Sequence, residues 1–158
     1  MKKEYSKDIL EEIGKKFPDA VVKIHAPRRT YIRIPRDKVP ALAEFLFKDK
    51  GCRLSIATGI DTRDGIEILY HFSLDESGTY YNIKTIIPKD DPQIKSIAPF
   101  LPAAEWIERE IHELFGVDFI GHPNLIPLLT AETWPENLYP LRRDYANEHK
   151  DLKLKKKM

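Results

Sequence analysis

The sequence predicts an α+β domain, an antiparallel-rich mixed sheet with helices packed on one face, followed by an extended C-terminal arm. Three observations carry this. Ile66, Ile68, Tyr70, Phe72 and Leu74 recur with a period of two, as a half-buried strand requires. Three amphipathic segments with helical spacing stand before, between and after groups of strand-like runs. Eight of the twelve prolines fall in residues 88–140, flanking the third of these segments on both sides in stretches that are apolar yet cannot continue regular structure.

The elements run in order. Residues 6–16 place Ile9, Leu10 and Ile13 on one helical face, with Ser6 as the N-cap. Residues 20–24 and 31–34 are short β-branched runs on either side of the Pro27-Arg28-Arg29 turn. Asp37 is expected to cap a second helix, with Pro40 in its first turn and Gly51 just past its end. Val39, Leu42, Ala43, Leu46 and Phe47 then face the sheet, and Phe45 is ambiguous. A meander of residues 53–60, 66–74 and 79–87 turns at Asp64-Gly65 and at Ser77-Gly78, and Pro88 ends it because proline cannot donate to the ladder.

The third helix organises the second half of the chain. Trp106, Ile107, Ile111, Leu114 and Phe115 share one side, while Glu105, Glu108, Arg109, His112 and Glu113 fall opposite and read as solvated charge pairs. Pro102 suits the first turn, and Gly116 stands where a helix end takes a left-handed residue. Val117 and Phe119 then alternate with Asp118 and Ile120 until Gly121-His122-Pro123 closes the run. Trp106 is expected to be largely buried and Arg109 to pair with an acidic group, within this chain or on a partner. His122 is expected to bond backbone through both ring nitrogens.

Composition excludes several classes. The chain has 158 residues, 42% hydrophobic and 32% charged, with a net charge of +1, so no overall field points to nucleic acid. No apolar run approaches the roughly 20 residues needed to span a bilayer. Met1-Lys2-Lys3-Glu4-Tyr5 lacks the apolar core of a signal peptide, which makes a cytoplasmic location the expectation. The single cysteine, Cys52, forms no internal disulfide and by itself holds neither zinc nor an iron–sulfur cluster. It is expected to be a small buried hydrophobe. No glycine-rich nucleotide loop is present. His112-Glu113 begins an H-E-x-x-H pattern, but Gly116 occupies the second histidine's place. A stand-alone metal-dependent enzyme would have to bring His112, His122 and carboxylates such as Glu108 or Asp118 together. The competing reading is one surface histidine and one loop-fixing histidine. The lysines of residues 150–158, with Tyr80 and Tyr81, are the sole hint of nucleic-acid binding. That lysine-rich end reads as a solvated or disordered tail.

Residues 1–121 are therefore read as the domain and residues 122–158 as a partner-binding arm with a basic tail. Leu128, Leu129, Trp134, Leu138, Tyr139 and Leu141 would leave a large apolar patch on an isolated chain. Trp134, Tyr139, Arg142 and Arg143 are of the types that anchor interfaces. Arg142-Arg143-Asp144-Tyr145 suits either an anchor for a carboxylate or phosphate, or a salt-bridged segment end.

Three stretches carry a family resemblance. They are Lys84-Thr85-Ile86-Ile87-Pro88-Lys89-Asp90-Asp91-Pro92, Ala104-Glu105-Trp106-Ile107-Glu108-Arg109-Glu110, and Leu114-Phe115-Gly116-Val117-Asp118-Phe119-Ile120-Gly121-His122-Pro123. With Pro140-Leu141-Arg142-Arg143-Asp144-Tyr145 they resemble, in order, the 30 kDa subunit of respiratory complex I (NADH:quinone oxidoreductase), a family shared with energy-converting membrane-bound hydrogenases. Ile126-Pro127 stands where the family commonly has paired arginines, Glu113 where many members have Asp, and Glu136-Asn137-Leu138-Tyr139 where Gly-His is usual. These departures point toward a hydrogenase-type or related ion-pumping relative. The resemblance implies an accessory subunit without catalytic residues, cofactor or metal of its own. Its implied place is on the nickel–iron-hydrogenase-like large subunit, at the cytoplasmic side of a membrane-bound, ion-translocating electron-transfer complex. The small iron–sulfur subunit is a further candidate neighbour, nucleic acid is not a partner, and membrane contact would come only through the complex. The residues expected at the partner are Trp106, Glu108, Arg109, Glu110, His122, Pro123, Trp134, Tyr139, Arg142, Arg143 and Asp144.

Overall fold

Strand β4 (Ile66–Leu74) is the centre of the molecule, and a computed structural model of the chain describes residues 4–148 around it. Its even-numbered apolar residues face the helices, and Ile66, Ile68, Tyr70 and Phe72 are wholly buried. Beside it run β3 (Arg53–Asp61) and β5 (Thr79–Ile87), both antiparallel to it. Tyr70 stands opposite Ile83 and Phe72 opposite Tyr81, so one apolar face continues from strand to strand. β2 (Arg29–Arg33) joins β5 in parallel, and β1 (Val21–Ala26) closes the sheet as a hairpin partner of β2. The order is β1-β2-β5-β4-β3. The α+β class and the mixed, mainly antiparallel sheet are thus as the sequence indicates.

Helix α1 (Glu4–Lys16) already includes Ser6, which is therefore not its N-cap. Helix α2 (Val39–Glu44) is preceded by a tight turn at Arg36–Lys38 and runs on as a wider turn at Phe45–Asp49. Asp37 lies inside that first turn and caps nothing, a second departure from expectation. The wide turn closes with the Lys50 N–H on the Phe45 carbonyl, one residue beyond the α-helical bond. Phe45 and Leu46 are buried there, and Phe47 is half-buried. Phe47 packs against the core from its margin.

After the sheet come β6 (Gln93–Lys95), α3 (Glu105–Phe115), β7 (Asp118–Ile120) and α4 (Arg143–Glu148). β6 and β7 pair in parallel, Ile94 opposite Phe119. Neither β6 nor α4 is legible in the sequence, since three to six residues cannot establish a period. Side chains from α1 (Ile9, Ile13), α2 (Leu42, Leu46), α3 (Ile111, Phe115) and the sheet form one core. Cys52 lies within it, its thiol pushed up to about 12 by burial, with Asp75 adding to the rise and Lys50 opposing it. The residues after 148, with the lysine-rich tail, lie outside the described part.

Candidate docking surface

Helix α3 buries its apolar side at Ile111 and Phe115, as its sequence pattern indicates, but departs from that pattern at Trp106 and on its charged side. Trp106, expected inside, is 65% exposed, whereas Glu108, Arg109 and Glu113 are buried. The helix is covered on more than one side: Ile111 and Phe115 enter the core, while residues 126–142 return across it. That returning chain is irregular, so its peptide groups need partners, and the buried charges of α3 supply them.

Glu108 has no exposed surface. The Tyr70 hydroxyl donates to its Oε1 at 3.0 Å, the Ile97 N–H donates to the same oxygen at 3.0 Å, and the Ser96 hydroxyl donates to Oε2. Burial pushes this carboxyl above the usual range, against the pull of the Ser96 hydroxyl, the Ile97 N–H, the Tyr70 hydroxyl and the nearby His122. The Tyr70 phenol is pushed up in turn by its own burial and by Glu108. The group fastens α3 to the central strand and to the segment after β6. Ser96 and Tyr70 carry no sequence signal for this role, being far from Glu108 along the chain.

Arg109 and Glu113, one turn apart, hold the arm from both of its polarities. Arg109 Nε donates to the Ile126 carbonyl and Nη2 to the Pro127 carbonyl, each at 2.9 Å. Glu113 accepts the N–H groups of Leu128 (3.0 Å), Leu129 (2.8 Å) and Thr130 (2.5 Å), together with the Thr130 hydroxyl. Burial acts to raise this carboxyl, but the Thr130 hydroxyl and the Leu129, Leu128 and Thr130 N–H groups outweigh it and hold it at about 2. Within this chain the partners of Arg109 are carbonyl oxygens rather than an acidic group, and its guanidinium also lies 5.8 Å from the Trp106 ring centre.

The C-terminal end of α3 is fastened separately. Gly116 adopts φ 69°, as its position indicated, and a methyl group there would overlap the Tyr139 ring. Arg142 stacks on Tyr139 at 4.7 Å and donates from Nε to the Phe115 carbonyl at 2.6 Å. A cation at a helix C-terminus is favoured by the unpaired carbonyls there. Arg142 is therefore a helix cap, which neither reading of its motif anticipated. The Arg143 backbone N–H donates to Asp61 at 2.8 Å, while its side chain and Asp144 are exposed.

His122 bonds backbone through both nitrogens: Nε2 donates to the Glu105 carbonyl and Nδ1 accepts the Asn124 N–H, each at 3.0 Å. These two bonds fix the ring orientation beside Gly121, whose φ is 80°. His112 Nδ1 lies 2.8 Å from the Val117 carbonyl. Both histidines serve the backbone, and among the described residues no group of three or more His, Cys, Asp or Glu is placed to hold a metal ion. The stand-alone metal enzyme is not favoured.

Of the remaining expected residues, Glu110 is half-buried and Pro123 exposed. Trp134 donates its indole N–H to the Leu138 carbonyl at 2.8 Å and tilts against Tyr145. Between the arm and α3 lies an open groove of about 690 Å³, lined by His112, Pro127, Trp134, Leu138 and Tyr139 and edged by Glu132 and Glu136. On α3 and the arm, Trp106, Ile126, Leu129 and Leu141 are each more than half exposed. No described helix is long and apolar enough to cross a membrane.

Residues 32–151, which include α3 and the arm, match the family described as respiratory-chain NADH dehydrogenase, 30 Kd subunit. A subunit of the F(420)H(2) dehydrogenase of Methanosarcina mazei is 32% identical, over 89% of this chain and 91% of that protein. A subunit of the NADH-quinone oxidoreductase of Chloroherpeton thalassium is also 32% identical, over 84% of this chain and 58% of the relative. A chain of the membrane-bound sulfane sulfur reductase, an archaeal respiratory membrane complex, superimposes with a TM-score of 0.80 at 29% identity, covering 97% of this chain and 94% of that one.

Proposed function

Because the chain belongs to the 30 kDa-subunit family of respiratory-chain NADH dehydrogenases, as a subunit of a complex I-like or membrane-bound hydrogenase-type assembly, we propose that it is an accessory subunit docking on the assembly's hydrogenase-like large subunit. The complex is read as a membrane-bound, ion-translocating electron-transfer machine, with this chain peripheral on its cytoplasmic side. The chain contributes no catalytic residue or cofactor of its own to the reaction. One observation carries the reading. Trp106, Ile126, Leu129 and Leu141 stand more than half exposed along α3 and the segment bonded to it. Large apolar side chains gathered on one surface mark an interaction site, and tryptophan and arginine are its usual anchors.

In this reading α3 and its buried charges shape the arm, while residues 122–145 and Trp106 meet the partner. Glu108, Arg109 and Arg142 act indirectly by holding that shape; Glu110, Pro123, Trp134, Tyr139, Arg143 and Asp144 contribute to the surface itself. The small iron–sulfur subunit is the next neighbour along it. The test is assembly of the native complex with Trp106→Ala and Leu129→Ser in this chain. Both side chains are exposed, so the isolated variant should unfold within about 1 kcal/mol of the parent, while its recovery with the large subunit falls at least tenfold. Unchanged recovery of the large subunit would place the interface elsewhere.

A further inference from the structure

At the far end of the sheet order from β3, against which α3 packs, strand β1 forms a bare edge. Its residues from Val21 to His25 are all exposed, Val21 at 64% and Ile24 at 65%. An exposed apolar edge strand carries unpaired peptide groups and is a template for another strand. Proteins that keep such an edge to themselves shorten it, cover it, bulge it or place charges along it; in β1 the one register irregularity lies between Ile24 and Ala26 at the hairpin end, and Val21 to Ile24 run in regular register.

Here the charge is on one face and of one sign. The register sets Val21 opposite Arg33, Lys23 opposite Tyr31, and Arg29 beside Tyr80 of β5, so these side chains share the sheet face away from the helices. Lys23, Arg28, Arg29 and Arg33 form no ion pair within the described residues, although Arg53 pairs with Asp75 and Lys84 with Glu67 farther along the sheet. At the hairpin end an open hollow of about 570 Å³ is lined by Arg28, Arg29 and Tyr80.

We propose that β1 receives an extended segment of a partner protein, acidic on one face and aliphatic on the other, as a sixth strand. Its carboxylates lie beside Lys23 and meet the long Arg29 and Arg33 side chains that reach across β1 from β2, and its aliphatic side chains lie beside Val22 and Ile24. Main-chain bonds give such an added strand affinity, and alternate side chains give it specificity. A second copy of this chain is disfavoured, because two β1 edges would oppose like charges. The lysines at residues 153–157 of this chain carry the same sign and are excluded likewise. The surface is separate from α3 and the arm, so it stands or falls independently of docking on the large subunit.

The probe is a peptide of four Glu-Val repeats, titrated into the full-length chain with backbone amides followed by NMR. Shift changes and slowed hydrogen exchange are expected at Val21, Val22 and Ile24. A peptide of four Lys-Val repeats should bind at least tenfold more weakly. The exposed double variant R29E/R33E, and separately K23E, should lower affinity for the acidic peptide at least tenfold with the spectrum otherwise unchanged. The proposal is overturned by no binding at millimolar peptide, by equal binding of the two peptides, or by perturbations away from β1. Tighter binding of single-stranded oligothymidylate at the same residues also overturns it, since the basic face would then serve nucleic acid.

Discussion

Replacing Glu113 should release the arm from α3 in a way that depends on pH. The carboxylate accepts three backbone N–H groups and one hydroxyl. Hydrogen bonds to a charged group contribute about 1.5–3 kcal/mol each when taken singly. They share one acceptor here, and water can reach the loop once it is freed, so the four do not add. A loss of about 2–3 kcal/mol is expected for Glu113→Ala, and about 1–2 kcal/mol for Glu113→Gln, which keeps one acceptor oxygen. The pH dependence follows from the depressed folded-state pKa of about 2. The unfolded chain protonates near 4.3, so the contribution is complete above about pH 5 and is lost as pH falls toward 2. A displacement of that size corresponds to at most ~3 kcal/mol, reduced to about 1–2 kcal/mol because the site borders solvent. Urea unfolding of parent and Glu113→Gln at pH 7, 4.5 and 3 measures this, with amide exchange of Leu128 to Thr130 as the local readout. The gap should shrink as pH falls. A gap that is the same at all three pH values, with those amides as protected as in the parent, would refute the reasoning.

Glu108 should behave with the opposite sign. Its folded-state pKa is raised by burial, so its contribution is present below the unfolded value and lost as pH rises; Glu108→Gln should therefore gain on the parent between pH 4 and 7 in thermal unfolding, and a constant difference would count against the raised pKa. Arg109→Lys keeps the charge but loses the fork that reaches both the Ile126 and Pro127 carbonyls. It should destabilise by about 1–2 kcal/mol in urea and speed amide exchange at Leu128 and Leu129; restoration of parent stability by lysine would show that charge alone matters. Gly116→Ala places a side chain at φ 69° and against the Tyr139 ring. About 1–2 kcal/mol is expected from the left-handed conformation alone, with added loss from displacing Tyr139, read by unfolding and by Tyr139 ring shifts in NMR.

The sequence by itself determined the strands that local chemistry encodes. β4 and β5 begin and end where the period of two, the Asp64-Gly65 turn and Pro88 place them. Gly116 marked the end of α3, since glycine adopts a positive φ without a Cβ clash. His122 was legible as a residue that fixes a loop, because it stands between glycine and proline with two ring nitrogens to satisfy. The family resemblance was legible for the related reason that it resides in short ordered motifs.

Tertiary structure decided everything that depends on a neighbour distant in sequence. Helix periodicity reports the apolar face of α3, which Ile111 and Phe115 bury, but not that returning chain covers the charged face as well. Ile126 to Thr130 return to the helix with unpaired peptide groups, and Arg109 and Glu113 satisfy them from inside. Trp106 consequently remains at the surface. The parallel join of β2 to β5 likewise depends on the crossover between them, not on either strand's residues. Burying a charge is tolerable only where fixed partners replace its water, and those partners lie 11–38 residues from Glu108 and 15–18 from Arg109 and Glu113. Each partner lies beyond the few residues over which a helical or strand period relates one side chain to the next, so no local pattern announces the pairing.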